Sequence, residues 1–306
     1  MNFSIVITNL AVIFIMIAVG LFTGRGGILS EKAQKDFTAF LMQITVPCTI
    51  FSSMIREFDR RMAFDSLLIL IIGFTFFGLG SVLWYKVSGL LKVEKERRGI
   101  WAVASAFSNI GFMGFPLTLA IFGNDGLFLA AVMNFSFNFT AWTIGPKLIG
   151  GGSGDTDLKH LLLTNINIGT ALGMVFFLAG IPVPDVPMRI ISAFGDITTP
   201  LSMFLIGLSL SGNRISHVFT DKDIRSITVV RLVIVPLLSM LILKALPLEE
   251  HELLVGVVTL IMAMPGPSVA LMLAQRYEKD AELAAGAIFM TSLCCIITIP
   301  LILMLL

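Results

Sequence analysis

The chain carries little charge. Only 13% of its 306 residues are Asp, Glu, Lys or Arg, whereas 56% are hydrophobic and the mean hydropathy is +0.94. A soluble domain needs more charge to cover its surface. The net charge of +1 and the lack of a basic run give no sign of a nucleic-acid partner. Apolar runs of about 20 residues recur along the whole length, and each can cross a bilayer core. The composition therefore predicts a polytopic helical membrane protein.

Cysteine and histidine are scarce. The three cysteines all lie in apolar segments: Cys48, Cys294 and Cys295. Their odd number and the lack of a Cys/His metal spacing argue against a disulfide framework and a metal site. The three histidines all fall in loops: His160, His217 and His251. An intramembrane enzyme needs acids, or Ser or Cys with His, at one depth, and an ATP-driven pump needs a GxxxxGK[ST] loop. The sequence contains neither, so we expect no enzyme and no cofactor.

Ten apolar segments are long enough to be spans. Their approximate bounds are 5–22, 36–55, 65–85, 99–122, 127–148, 162–181, 189–211, 226–246, 253–274 and 282–305. The first lacks the basic start of a cleaved signal and is interpreted as a membrane helix. Of the 21 Lys and Arg residues, 15 lie in one set of loops, five in the opposite set, and one, Arg231, inside a span. The positive-inside rule places the loops with 15 basic residues in the cytoplasm. With ten spans, both termini then lie outside the cytoplasm.

The two halves of the chain resemble each other. The stretch ITVPCTIF, which contains Pro47, has a near copy in ITTPLSMF, which contains Pro200 and lies 153 residues further on, half the chain length. Each half has five spans, and because five is an odd number, the second half enters the membrane from the opposite side. This arrangement predicts the inverted repeat of secondary transporters. Chance similarity between apolar sequences is the alternative. The predicted parts are a repeat at 1–149, a flexible cytoplasmic linker at 150–161 and a second repeat at 162–306.

The fourth and ninth spans contain clusters of helix-breaking residues. These are Asn109, Gly111, Gly114 and Pro116 in the fourth span, and Pro265, Gly266, Pro267 and Ser268 in the ninth. Such breaks persist only when buried in protein or lining a wet cavity. We expect both helices to unwind near the midplane, with new half-helices starting near Phe115 and Ser268. If the breaks cross, two helix N-termini favour an anion such as a carboxylate, without a basic side chain at that depth. Close helix packing is the alternative.

Other polar residues are candidates for the substrate path. Asn109 can donate to a carboxylate or satisfy freed carbonyl groups. Asn134 and Asn138 lie one turn apart on one face of the fifth span, where they line a cavity or bond another helix. Pro47 kinks the second span beside the crossing, whereas for Pro200 a purely structural kink is expected. Four threonines can cap the carbonyl groups that these prolines free: Thr45, Thr49, Thr198 and Thr199.

Two charged residues fall within spans. Asp196 is a candidate for proton coupling, because a carboxyl group partly removed from water can carry a proton. It can equally face water near the start of its helix. Arg231 lies less than two turns from the cytoplasmic end of the eighth span, and we expect its side chain to snorkel to the interface.

These motifs resemble the auxin efflux carrier family, the PIN-like permeases of the bile-acid/arsenite/riboflavin transporter superfamily. The matching pieces are VPCTIF, NIGFMGFPL, WTIG and AMPGPSVALMLAQRYEKDAELAAGAIFMTSL, and the last is the most specific. The likeness covers essentially the whole chain. Plant carriers have a long loop between the halves. The loop here has about 15 residues, which indicates a bacterial-type member in the inner membrane.

The resemblance implies ten spans in two inverted five-helix repeats, with broken helices four and nine crossing. It also implies a scaffold of 1–62 plus 162–212, which often forms a homodimer, and a transport unit of 63–149 plus 213–306 that moves as an elevator. The implied activity is secondary active transport of a small organic anion such as malate or malonate, with H⁺ and Na⁺ as the candidate coupling ions. A ligand sensor that uses the same fold without net flux stays open as an alternative.

Overall fold

A computed structural model describes residues 3–151, 163–212 and 218–306, and over these ranges it contains helices and no strand. The predicted linker lies almost wholly outside the described residues, as do His160 and His217. The α-helices are α1 Phe3–Arg25, α2 Glu31–Phe40, α3 Val46–Met54, α4 Arg60–Phe74, α5 Gly80–Leu90, α6 Arg98–Ala106, α7 Phe115–Thr143, α8 Gly145–Ile149, α9 Asn165–Ala179, α10 Asp185–Gly195, α11 Thr198–Gly212, α12 Lys222–Val229, α13 Val235–Lys244, α14 Glu252–Met262, α15 Ser268–Arg276 and α16 Ala281–Leu303.

The helices fall at the predicted spans. Among the described residues, six segments are long and apolar enough to cross a membrane, and three shorter apolar helices accompany them. The longest segment, Arg98–Ile149, covers two predicted spans. They are separated at Gly123, whose φ of 65° and ψ of −161° interrupt α7. Glycine adopts such a conformation without a steric penalty. The prediction of an all-α polytopic membrane protein is confirmed.

Three prolines inside spans follow wide π-helical turns. The turns and the prolines two residues after them are Leu41–Thr45 with Pro47, Ile110–Gly114 with Pro116, and Val230–Ile234 with Pro236. A proline ring clashes with the carbonyl group four residues earlier and has no N–H for it. A wider turn moves that carbonyl away from the ring. The kink expected at Pro47 is therefore a local change of helix type within a continuous helical segment.

The described chain forms two compact units, and the first contains Met1–Leu67, Gly111–Val132 and Leu162–Asn213. Within it, α1 and α11 are in backbone contact. A Cβ atom at Gly20 would overlap the carbonyl group of Phe204 on α11, and one at Gly207 would overlap the carbonyl group of Ile17 on α1. Small residues allow membrane helices to approach this closely.

The second unit contains Leu68–Ile110, Met133–Leu161 and Arg214–Leu306. An ion-pair cluster joins the N-termini of three of its helices. Arg97, immediately before α6, lies 3.0 Å from carboxylate oxygens of both Asp221 and Asp223 at the start of α12, and 2.8 Å from Asp280 before α16. The three helices therefore begin on the same side of this unit.

The same cluster shifts the pKa values of Arg97 and Asp221. Burial alone would lower the pKa of Arg97, but its hydrogen bonds to Asp223 and Asp221 and the field of Asp280 outweigh burial and raise that pKa. Burial alone would raise the pKa of Asp221. The bond from Arg97 and two backbone N–H groups at the start of α12 outweigh it, so the pKa of Asp221 is lowered. Both shifts favour the charged forms of Arg97 and Asp221.

Candidate functional site

The fourth predicted span is broken directly after α6. Phe107 has an extended backbone, with φ −96° and ψ 151°, and helical structure resumes at Ile110. The prediction of a break is confirmed, but the start of the new half-helix near Phe115 is wrong. The reason is that Gly111 and Gly114 are accommodated inside the π-helical turn that leads to Pro116. The unwound segment is therefore limited to residues 107–109.

The ninth predicted span is broken between α14 and α15. The segment 263–267 is non-helical, and the second half-helix starts at Ser268, as predicted. Pro265, Gly266 and Pro267 are buried, whereas Ser268 is exposed. In the described part of the chain, no side chain caps the N-terminus of α15, which Pro267 precedes. The first N–H groups of a helix have no intrahelical acceptor, and the end carries about half a positive charge.

The two breaks meet within the second unit. The backbone N–H of Asn109 donates to the carbonyl group of Pro265 at 3.0 Å. The N–H of Gly266 donates to the hydroxyl of Thr291 on α16 at 3.0 Å, and that hydroxyl donates to Ala287 on its own helix. Backbone groups that the breaks remove from helices are thus satisfied by the opposite break and by a neighbouring helix. Sequence reasoning missed Thr291, which looks like any threonine inside an apolar span.

Arg231 connects the same two breaks from a third helical segment. It lies in the π-helical turn between α12 and α13 and is 0% exposed. Its guanidinium also bonds the Ser108 hydroxyl. The carbonyl groups that accept from it, at 2.8 to 3.3 Å, are those of Ser105, Ala106, Ile261, Met262 and Met264. These carbonyl groups end α6 and α14 or lie in the break after α14.

This position overturns two expectations. The prediction that Arg231 snorkels to the interface is wrong, and so is the expectation that no basic side chain lies at the depth of the breaks. Carbonyl groups at the ends of broken helices need donors, and a guanidinium supplies five N–H groups in a fixed plane. One signal was available, because a charged residue inside an apolar span is a functional candidate by default.

Several buried polar groups of the second unit have no hydrogen-bond partner among the described residues. They include the hydroxyls of Ser105 and Thr259, in the last turns before the two breaks, and the amide nitrogen of Asn134 on α7. Asn134 is 3% exposed, and Asn138 lies half-buried one turn further on. A buried donor without an acceptor costs about 1–3 kcal/mol. A carboxylate oxygen is an acceptor that would satisfy the Asn134 amide.

A family comparison decides the class of protein. The model of a family described as "Membrane transport protein" matches residues 5–159 and 153–303, which together cover nearly the whole chain. The chain belongs to this family of membrane transporters. The resemblance to auxin efflux carriers, which the sequence motifs indicated, is thereby confirmed.

Relatives of this transporter agree over their full lengths. It is 27% identical to an uncharacterized transporter of Methanothermobacter thermautotrophicus, with 94% of both chains covered. It is 23% identical to the uncharacterized transporter YfdV of Escherichia coli K12, with 96% of both covered. A putative malonate transporter of Rhizobium meliloti is 21% identical, with 96% of this chain and 93% of the relative covered.

In the first unit of the transporter, the two proline motifs contact each other. The Thr49 hydroxyl lies 2.6 Å from that of Thr198 and donates to the carbonyl group of Gly195 at 2.8 Å. The carbonyl group of Gln43, which lies four residues before Pro47 and receives no N–H from it, accepts from the Asn165 side chain at 2.8 Å. Asn165 therefore satisfies the carbonyl group that Pro47 frees, a role that the sequence analysis gave to the threonines. The Thr45 hydroxyl donates instead to the carbonyl group of Leu41, and the Thr49 hydroxyl donates to that of Thr45.

Pro200 and Asp196 lie at a helix junction in the first unit. Where a kink was expected at Pro200, the span Asp185–Ser211 is interrupted: α10 ends at Gly195, α11 begins at Thr198, and Pro200 lies in the first turn of α11, where a missing N–H costs little. Asp196 directly follows α10 and is exposed at the junction between α10 and α11.

Gly111 also belongs to the first unit, where its backbone lies beside the Met42 side chain.

Proposed function

We propose that this transporter carries a small organic anion, a carboxylate or dicarboxylate, by secondary active transport. The observation that carries the proposal is the uncapped N-terminus of α15, which follows directly on the joined breaks. A helix N-terminus attracts negative charge through its free N–H groups and its dipole. The related putative malonate transporter supports a dicarboxylate such as malonate, or the similar malate, as the cargo.

Three kinds of group are proposed to hold the anion. The N–H groups at the start of α15, beginning with Ser268, bind one carboxylate. Asn109, which is partly exposed at the other break, and the buried amide of Asn134 donate further hydrogen bonds. Pro265, Gly266 and Pro267 keep the segment before α15 out of a helix, and so leave its N–H groups open to the cargo.

The finer features of the transport cycle are also proposals. They follow from the family resemblance: an elevator-type movement of one part of the chain against a dimeric scaffold, coupling to H⁺ or Na⁺, and a place in the inner membrane with both termini outside the cytoplasm. Asp196 stays the proton-coupling candidate. The residue is exposed at the junction between α10 and α11.

Uptake by proteoliposomes tests the proposal. We expect the purified protein to concentrate labelled malonate, with Asn109→Ala and Asn134→Ala each reducing kcat/KM about tenfold or more, as loss of a hydrogen bond to a charged group predicts. Asn124→Ala is the matched control, because Asn124 is exposed at the break in α7, and it should transport normally. Uptake of a cationic solute in preference to every carboxylate would contradict the proposal. Binding of malonate without any flux would favour the ligand sensor.

A further inference from the structure

We infer that Arg231 is the charge-balancing residue of the joined breaks: it neutralises the carbonyl ends of α6 and α14, so that the positive end of α15 acts on the cargo. The inference rests on the proposed function and deepens it by naming the residue that sets the charge preference of the site.

Four of the carbonyl groups that accept from Arg231 share one property. Ser105 and Ala106 are the last two residues of α6, and Ile261 and Met262 are the last two of α14. The last carbonyl groups of a helix have no intrahelical donor and together carry about half a negative charge. A single guanidinium therefore contacts the negative ends of both first half-helices at once.

No acid offsets this cation. Within the described ranges, the groups that Arg231 contacts are carbonyl oxygens and the Ser108 hydroxyl, and no carboxylate pairs with it. Arg97 is the opposite case in the same unit, because three carboxylates surround it. The sequence thus places one arginine among carboxylates and the other against backbone dipoles.

The charge balance at the joined breaks follows. Two negative helix ends of about half a charge each cancel the single charge of Arg231. The positive end of α15, which starts at Ser268, then remains and favours negative charge. Without Arg231 the two negative helix ends would outweigh it, and the joined breaks would have little preference for an anion.

Binding of malonate and of its uncharged analogue malonamide tests the inference. In Arg231→Gln we expect the dissociation constant of malonate to rise at least about tenfold and that of malonamide to change little, because the loss is electrostatic. Arg231→Lys keeps the charge and should restore most of the preference for malonate. The matched control is Arg97→Gln, which should lower thermal stability but leave the ratio of the two constants unchanged.

Two results would overturn the inference. One is a folded Arg231→Gln protein with the wild-type preference for malonate. The other, decisive if Arg231→Gln does not fold, is a folded Arg231→Lys protein that has lost this preference.

Hydrogen exchange separates this inference from the proposed function. If Arg231 holds both breaks, Arg231→Gln should exchange faster at residues 105–110 and 261–268 but not in α1 and α11. Unchanged exchange at the breaks would show that Arg231 does not hold them. If the wild type binds no carboxylate, the proposed function and the charge preference both fail. The hydrogen-exchange result then still tests whether Arg231 holds the two breaks in place.

Discussion

The hydroxyl groups of Thr49 and Thr198 lie 2.6 Å apart and join the two copies of the repeated proline motif. Thr49 also bonds the carbonyl groups of Thr45 and Gly195, so one buried side chain has three partners. The two motifs that resemble each other in the sequence therefore also contact each other in the fold, through Thr49 of the first and Thr198 of the second.

Replacement of Thr49 by valine should destabilise the first unit. The substitution keeps the side-chain volume but leaves the Thr198 hydroxyl and the Gly195 carbonyl group without their partner, which costs about 1–3 kcal/mol. The midpoint of thermal unfolding in detergent measures the effect. The control is Thr143→Val, because Thr143 bonds only the carbonyl group of Phe139 at an exposed position. Equal midpoints for the two variants would contradict the role of the threonine contact.

Asn165 and Pro47 should be coupled energetically. Asn165→Ala leaves the carbonyl group of Gln43 without its donor, and we expect a loss of about 1–3 kcal/mol. In a Pro47→Ala background the chain regains an N–H that can bond this carbonyl, so the same substitution should cost less. A double-mutant cycle should give a coupling energy of about 0.5–3 kcal/mol. Additive effects would show that Asn165 does not compensate for the proline.

The backbone contact between α1 and α11 should not tolerate a side chain at Gly20. A Cβ atom there would overlap the carbonyl group of Phe204, so Gly20→Ala forces the helices apart at a cost of about 1–3 kcal/mol. Gly80→Ala is the control, since a Cβ at Gly80 meets nothing within 4 Å and alanine favours the helix. The yield of monodisperse protein and its thermal midpoint distinguish them. A Gly20→Ala protein as stable as Gly80→Ala would refute the close approach.

The Arg97 cluster should make stability depend on acid pH. The pKa of Asp221 is lower in the folded protein than in the unfolded chain. Its stabilisation is therefore present above about pH 4, the ordinary range of an aspartate, and disappears as the pH falls through the lowered value. Asp221→Asn removes the charge and keeps an oxygen that can cap α12. The difference in thermal midpoint between wild type and variant should be largest at pH 7 and should shrink as the pH falls below about 4. A difference independent of pH would count against this ion pair.

The sequence predicted the spans and the breaks because these depend on local properties. Apolar length defines a span, and Pro265 with Pro267 cannot continue a helix. The functions of Arg231, Asn165 and Thr291 were not predictable in this way, because each depends on a carbonyl or N–H group that is distant in the sequence. The acceptors of Arg231, for example, come from α6 and from the end of α14. The π-helical turns were also missed, since Pro47 alone does not show whether a helix kinks, breaks or widens.

Isothermal titration of the wild-type protein with malonate and with malonamide tests most directly whether the joined breaks form an anion site. The two molecules have nearly the same shape and differ in charge. We predict that malonate binds at least about tenfold more tightly, with the difference decreasing in Asn134→Ala and retained in Asn124→Ala. Equal binding of the two molecules, or tighter binding of malonamide, would contradict the account.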